Sequence, residues 1–260
     1  MPELIEVELY RRLAERTLDR PIVAVDAPDN WFLKHGLTAD QVADTFVGDR
    51  FVAARRRGKL LLLDADRGPT LGVRFGMTGR LTVDGDAAID RLEYSSSRQD
   101  PAWTRFSVHF HDGGTMAVPD PRRLGGVELD PDEDRLGPDA SMVGAAALRD
   151  LLGASTAPLK VRLMDQQRLA GLGNLLTDEI LWRSGLDPAR PARSLDATEV
   201  RRLHRHLRST LDELTARGGS HRGDLQEERS RDGRCPRDGA PLERRQVGGR
   251  TTYSCPTHQR

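Results

Sequence analysis

The chain has 260 residues, 37% of them hydrophobic, and a formal net charge of zero at pH 7. That is length enough for two domains, or one domain with a small appendage. Apolar runs are short, Leu60–Leu63 being typical, and the start lacks the basic-then-apolar pattern of a secretory signal, so a cytoplasmic protein with no membrane span is expected.

Residues 3–18 read as a helix, with Leu4, Val7, Tyr10, Leu13 and Ala14 at helical spacing and Glu3 and Glu6 as neighbours on one side. Short strand-like segments follow at Pro21–Val25, Phe51–Arg57, Leu60–Asp64, Leu71–Phe75 and Leu81–Val83. Phe106–Phe110 alternates, His111-Asp-Gly-Gly114 is a turn, and Thr115–Val118 returns, which predicts a hairpin. Composition then switches. Ala140–Leu152, Leu159–Leu169 and Asn174–Ser184 read as helices. Asp196 with Glu199 opens a further helix whose stripe is Val200, Leu203, Leu207, Leu211 and Leu214, ended by Gly218-Gly219. A polar stretch, Ser220–Arg234, leads to a small unit holding both cysteines. The expected fold class is α+β and multidomain: residues 1–133 a helix-led β-sandwich, 134–219 a helical module, 220–260 a linker and hairpin finger.

Zero net charge argues against a nucleic-acid binder, but the charge is unevenly spread. Residues 201–260 hold 14 Arg against 8 acidic residues, and the acidic excess lies in the first 200. The cations are 37 Arg and only Lys34, Lys59 and Lys160. Where Arg is the default, a Lys marks a place for a compact ammonium.

Four constellations can carry chemistry. Pro2 is a good first helical residue, but once Met1 is removed it also bears a free secondary amine beside the Glu3 carboxyl. Asp120-Pro-Arg122-Arg123-Leu124-Gly125 follows the hairpin. It is either ordinary surface or a probe, with Arg reading a base edge or backbone and Leu wedged into a base stack. Gly171-Leu-Gly173-Asn174 precedes a helix, so Asn174 is an N-cap or part of an anion-binding helix start. Finally, Cys235-x2-Asp238 and Cys255-x2-His258 have zinc-ribbon spacing, with a hairpin between them presenting Arg250 to a phosphate.

Taken in order, MPELIEVE, Arg57-Gly-Lys59, Gly76-Met77-Thr-Gly79, Asp120–Gly125, Lys160–Asp165, Gly171–Glu179 and the C-terminal hairpin resemble the formamidopyrimidine-DNA glycosylase / endonuclease VIII family of base-excision-repair enzymes over almost the whole chain. The resemblance implies a helix-led β-sandwich, a helix-two-turn-helix module and a zinc or zincless finger. Double-stranded DNA carrying a damaged base or abasic site would lie in the cleft between the domains. It implies a bifunctional glycosylase and lyase with no catalytic cofactor, acting as a monomer on nucleoid DNA in a bacterial cytoplasm.

By the same resemblance, the Pro2 amine attacks C1′ of a flipped nucleotide, Glu3 is the general acid, Glu6 organises the pocket and Lys59 clamps a phosphate. Met77, Arg123 and Leu124 fill the hole left in the duplex, with Arg122 beside them. Asn174 and Arg250 hold backbone phosphates, and Lys160 lies near the lesion. Cys235, Asp238, Cys255 and His258 stand at the zinc ligands.

Four departures from the family pattern stand out. Ile5 replaces a second proline, Leu124 a phenylalanine, and Asp238 and His258 two cysteines. The stretch from Gly218 to Cys235 is too short for the loop that covers 8-oxoguanine. Two rival readings carry their own discriminators. A non-catalytic lesion-binding module of the same fold would retain Met1. A metal-dependent nuclease built on Asp178 and Glu179 would lose strand cleavage in EDTA.

Overall fold

Helix α1 (Leu4–Ala14) starts where Glu3 adopts an extended N-cap conformation, and Glu3 and Glu6 form a reciprocal capping box. The expected longer helix ends early: residues Glu15–Thr17 tighten into a 3₁₀ turn and Thr17 bonds back to the Ala14 carbonyl at 2.7 Å. The computed structural model describes residues 2–89, 92 and 100–260, and the chain divides into two units, residues 1–133 and 134–260.

In the first unit β1 (Ile22–Asp26), helix α2 (Ala39–Phe46), β2 (Phe51–Arg57), β3 (Leu60–Ala65), β4 (Leu71–Arg74), β5 (Thr82–Val83), β6 (Asp86–Ala87), β7 (Thr104–Phe110), β8 (Thr115–Pro119) and β9 (Gly126–Leu129) follow α1. They form two antiparallel sheets, ordered β1-β7-β8-β5-β6 and β2-β3-β4-β9. Inward residues of both, among them Phe106, Val108 and Met116 from one and Leu61, Leu63 and Val73 from the other, share a core with Val7 and Tyr10 of α1 and Phe46 of α2. In β3, Leu61 and Leu63 enter that core while Leu60 and Leu62 are buried on the opposite face. That is why this strand reads as a continuous apolar run and not as an alternation.

The second unit holds α3 (Ala145–Gly153), α4 (Leu159–Met164), α5 (Asn174–Ser184), α6 (Ala197–Ala216) and the hairpin β10 (Glu243–Val247)–β11 (Arg250–Ser254). Asp196 caps α6 as expected, accepting from the Thr198 and Glu199 amides at 2.7 and 2.8 Å. Helix α5 is buried along almost its whole length, packed by α4, α6 and β11. The hairpin thus belongs to the same unit as the helices. Among the described residues, no helix is long and apolar enough to cross a membrane.

Several expected elements shift. Helix α2 and strand β9 have no counterpart among the expected elements. Helix α3 starts five residues late, after Gly144 as N-cap. Helix α4 stops at Met164, not Leu169, because Asp165 turns extended and the Gln166 amide bonds the Met164 and Leu172 carbonyls at 2.7 and 2.9 Å.

Candidate active site and nucleic-acid interface

The Glu3 backbone amide donates to Glu6 Oε2 at 2.8 Å. Pro2, Glu3, Leu4, Ile5 and Glu6 are all buried, with Glu3 0% and Glu6 1% exposed. The two carboxylates sit at the positive end of an eleven-residue helix, where their charge is favoured. Met1, whose removal would free the Pro2 amine, lies outside the described residues.

Helix α1 is fixed from two sides. On one side Glu8 takes Arg56 of β2 at 3.2 Å, and Arg56 also donates to the Gly58 carbonyl at 3.0 Å. Burial pushes the Glu8 carboxyl up, but Arg11, Arg12 and Arg56 together hold it below its ordinary range. Arg57 pairs with Leu60, so Gly58 and Lys59 form a two-residue turn with positive φ at Gly58, and Lys59 stands half-buried at its tip. On the other side Tyr10 packs against Phe75 in a tilted arrangement, ring centroids 4.6 Å apart, and donates to the Gly79 carbonyl at 3.4 Å. Burial and the nearby Glu6 charge raise the Tyr10 hydroxyl well above its ordinary pKa, so it stays a donor. Through that contact α1 is docked on the loop carrying Met77.

The same loop meets the probe segment. A Cβ on Gly76, whose φ is +56°, would lie 2.4 Å from the Leu124 carbonyl carbon. Thr78 donates to Asp120 Oδ1 at 2.6 Å, and Asp120 also accepts the Arg122 and Gly125 amides at 3.2 and 2.8 Å. Asp120 is fully buried. It folds residues 120–125 into a turn that lifts Arg122, Arg123 and Leu124 into solvent, Leu124 being 51% exposed. An exposed leucine therefore stands beside two exposed arginines on a braced turn. The structure therefore brings Met77, Arg122, Arg123 and Leu124 together. Sequence reasoning gives Asp120 and Thr78 no part in this. The Asp-Pro start of the turn is the available signal for Asp120.

In the second unit Gly173, not Asn174, is the N-cap of α5, and Asn174 is its first residue. The buried Oδ1 of Asn174 has no hydrogen-bond partner among the described residues. The loop before it is shaped by Gln166, which also accepts from the Gly171 amide at 3.0 Å. Gly248 and Gly249 both have positive φ and turn the β10–β11 hairpin, leaving Arg250 exposed beside the tip. That tip rests on α4: a Cβ on Gly248 would strike Val161.

Lys160 corrects the expectation of a DNA contact. It is fully buried, and its ammonium bonds Asp178 at 2.6 Å, Thr252 Oγ1 at 2.8 Å and the Thr251 carbonyl at 3.2 Å. It is a strut joining α4, α5 and β11. Asp178 in turn takes Arg229, and the Tyr253 amide at 3.3 Å. Glu179 accepts Arg183 at 2.7 Å and the Asp224 and Leu225 amides at 3.1 and 2.9 Å. Both carboxylates considered for a nuclease are therefore consumed in packing, and Glu179 pins the short segment after α6 to α5.

Cys235, Asp238, Cys255 and His258 offer donor atoms that all lie within 4.8 Å of one another. His258 Nδ1 is 2.9 Å from Asp238 and 3.7 Å from Cys235 Sγ, and Cys255 Sγ is 3.3 Å from Asp238 Oδ2. A tetrahedral zinc, with bonds of about 2.0–2.3 Å, needs donors roughly 3.3–3.8 Å apart, so small adjustments seat it. The outer contacts suit a metal too. His258 Nε2 lies 3.2 Å from the Trp182 carbonyl, which fixes the ring with Nδ1 inward, and the Trp182 indole donates to Cys235 Sγ at 3.3 Å. The residues fit structural zinc in spite of the Asp and His substitutions.

Comparison with known proteins agrees along the chain. Residues 1–127 match the family model of the formamidopyrimidine-DNA glycosylase N-terminal domain, and residues 136–224 that of the formamidopyrimidine-DNA glycosylase H2TH domain. A formamidopyrimidine-DNA glycosylase from Thermus thermophilus is 36% identical over all of this chain and 98% of its own length. Another from Paracoccus denitrificans is 32% identical over 100% of both. Among solved structures, the Lactococcus lactis protein in complex with a DNA containing Fapy-dG is 25% identical over 99% of both chains, with a TM-score of 0.83. The same protein with abasic-site DNA, 24% identical over 99% of both chains, shares the fold with a TM-score of 0.84.

Proposed function

The chain belongs to the formamidopyrimidine-DNA glycosylase family, base-excision-repair DNA glycosylases with abasic-site lyase activity, and on that premise we propose that its own catalyst is the Pro2 amine with Glu3 as general acid. The observation that carries this is the helix start: a proline directly ahead of a capping carboxylate, with Glu6 holding the Glu3 amide.

The chemistry follows from the amine. The Pro2 nitrogen attacks C1′ of the flipped nucleotide, the C1′–base bond breaks, and the base leaves with the bonding electrons and a proton. Glu3 protonates O4′, which opens the sugar ring and leaves a C1′=N⁺ iminium. Only an amine gives this cation. It acidifies the C2′ proton, whose loss expels the 3′ phosphate by β-elimination, and a second elimination releases the 5′ phosphate. An α-amine titrates near pH 7.7–8.0, roughly, so a neutral fraction exists at working pH.

Lys59, Arg122, Asn174 and Arg250 hold phosphates in this reading, and Met77, Arg123 and Leu124 occupy the hole in the duplex. Lys160 supports Asp178 and the hairpin from inside. Cys235, Asp238, Cys255 and His258 hold a structural zinc, which ties the hairpin's two ends together and takes no part in the reaction. The substrate is double-stranded nucleoid DNA bearing a ring-opened or oxidised base, handled by a monomer. The short segment pinned by Glu179 supports a lesion that needs no long covering loop.

Borohydride trapping tests the proposal. The protein is incubated with abasic-site DNA and reduced, and intact mass gives the state of Met1. A covalent complex is expected, and it disappears when a residue retained ahead of Pro2 blocks the amine. Absence of the complex, with Met1 gone and DNA still bound, overturns the lyase mechanism.

A further inference from the structure

Trp182 stands where helix α5 meets the Cys–Asp–Cys–His cluster. It lies in the last turn of α5, where carbonyls have no partner inside the helix. Its own carbonyl accepts the Gly185 amide at 3.1 Å and faces His258 Nε2 at 3.2 Å. Its indole N–H donates to Cys235 Sγ at 3.3 Å. The side chain is buried in a small core with Leu225, Leu242, Cys235 and Cys255. The His258 ring meets it edge-on, centroids 6.1 Å apart, and the Arg237 guanidinium lies over its face at 5.4 Å. Arg237 belongs to the turn between Cys235 and Asp238 and also donates to the Arg183 carbonyl at 3.2 Å. Both ligand turns therefore close on one residue of α5.

The two cysteines are not served alike. Cys255 Sγ accepts the Thr257 and His258 amides of its own turn. Asp238 accepts the Ala240 amide at 3.0 Å. Cys235 Sγ receives its N–H from α5 instead. His258 Nδ1, 3.7 Å away, supplies none, because a neutral ring that donates through Nε2 to the Trp182 carbonyl carries no hydrogen on Nδ1. Two thiolates and a carboxylate around a divalent ion leave negative charge in excess, and both cysteines are buried. A donor fixed on a thiolate spreads that charge and holds the sulfur in place.

We infer that Trp182 is a positioning residue for the metal: its indole N–H sets the Cys235 sulfur and its carbonyl sets the His258 ring, so one residue of α5 holds a ligand from each half of the cluster. The inference rests on the zinc reading of that cluster. Its distinguishing claim concerns the indole nitrogen, since the rest of the ring could serve by packing alone.

The test removes the nitrogen and keeps the shape. Benzothienylalanine, placed at position 182 alone, has sulfur where the indole has N–H. The full chain as purified is challenged with a chelator of known zinc affinity, and a cobalt-grown preparation is examined by absorption. The analogue is expected to hold zinc about 10–100-fold more weakly than the wild type, the usual cost of losing an outer contact to a metal ligand. Its thiolate-to-cobalt charge-transfer band should move to longer wavelength, because a sulfur without its hydrogen bond gives up an electron more easily. Melting in excess chelator should match the wild type. Trp182→Phe should show the same band shift, with a lower melting temperature in chelator as well, because the smaller ring leaves a cavity.

The inference is overturned if the analogue holds zinc within about threefold of the wild type with its cobalt band unmoved, since an outer contact that matters costs more than that. It is equally overturned if the analogue melts as much lower in chelator as it does with metal, because Trp182 then only packs. A wild-type chain that takes up neither zinc nor cobalt removes the zinc reading itself, and the inference with it. Borohydride trapping decides separately whether the lyase mechanism stands.

Discussion

Glu3 is the residue where chemistry and folding meet, because its carboxyl caps a helix and it follows directly on the proline whose amine is proposed to react. A neutral isostere preserves the cap's shape but cannot give up a proton. Glu3→Gln is therefore expected to slow base excision by about 10²–10⁴-fold, the usual worth of a positioned acid. An abasic sugar already exists partly as the open aldehyde, so trapping on abasic DNA should fall much less. Single-turnover excision beside borohydride trapping measures the split. Gly76 is constrained as tightly by sterics. Its φ of +56° and the Leu124 backbone 2.4 Å from a built Cβ leave no room for a side chain. Gly76→Ala is expected to cost about 1–2 kcal/mol from the left-handed backbone alone, more once the probe turn is displaced, as read by urea unfolding together with lesion excision.

At the scale of elements, the hairpin is held to the helices by a buried ion pair and by the Cys–Asp–Cys–His cluster. Removing one partner of Lys160–Asp178 strands a charge in the interior, so Lys160→Met is expected to destabilise the second unit by about 3–5 kcal/mol. Zinc at the cluster should be found at one equivalent by elemental analysis and lost in Cys255→Ser, with a lower melting temperature. Sequence makes some of this legible and not the rest. Capping at Asp196, the β7–β8 turn and the apolar stripe of α6 are local patterns, and local patterns survive into the fold. The four cluster residues are legible by spacing. Lys160 stands out as a place for a compact ammonium, but its direction does not, because that depends on Asp178 and Thr252 arriving from other elements. The pairing of Asp29 with Arg123 is not legible either, since the two lie 94 residues apart. The early stop of α4 depends on a glutamine side chain bridging the following loop, which helical periodicity does not report.

Across the whole molecule, zero net charge hides many paired arginines. Asp29, Asp64, Asp84 and Glu199 are each held below their ordinary pKa, chiefly by Arg123, Arg55, Arg20 and Arg190, and Arg20 draws Asp112 down to about 2. A carboxyl lowered on folding stabilises the native state above its unfolded pKa, and that stability is lost as pH falls through the folded value. The melting temperature should thus hold from neutral pH to about 5, then fall progressively from about pH 4 toward 2, as calorimetry across that range would show. The same pairing bears on DNA binding. With no net charge to steer the duplex, affinity rests on local groups of cations at the contact surface. Each phosphate neutralised by a cation contributes roughly −0.9 to the slope of log K against log salt. Lys59→Ala and Arg250→Ala are each expected to weaken binding and make that slope shallower by about 0.9. Asn174→Ala should weaken binding with the slope unchanged, because an amide releases no counterion. Fluorescence anisotropy over a salt series separates the two. A slope that stays fixed in Lys59→Ala and Arg250→Ala would remove both from the phosphate contacts, and a slope that moves in Asn174→Ala would mean that its loss displaces a neighbouring cation.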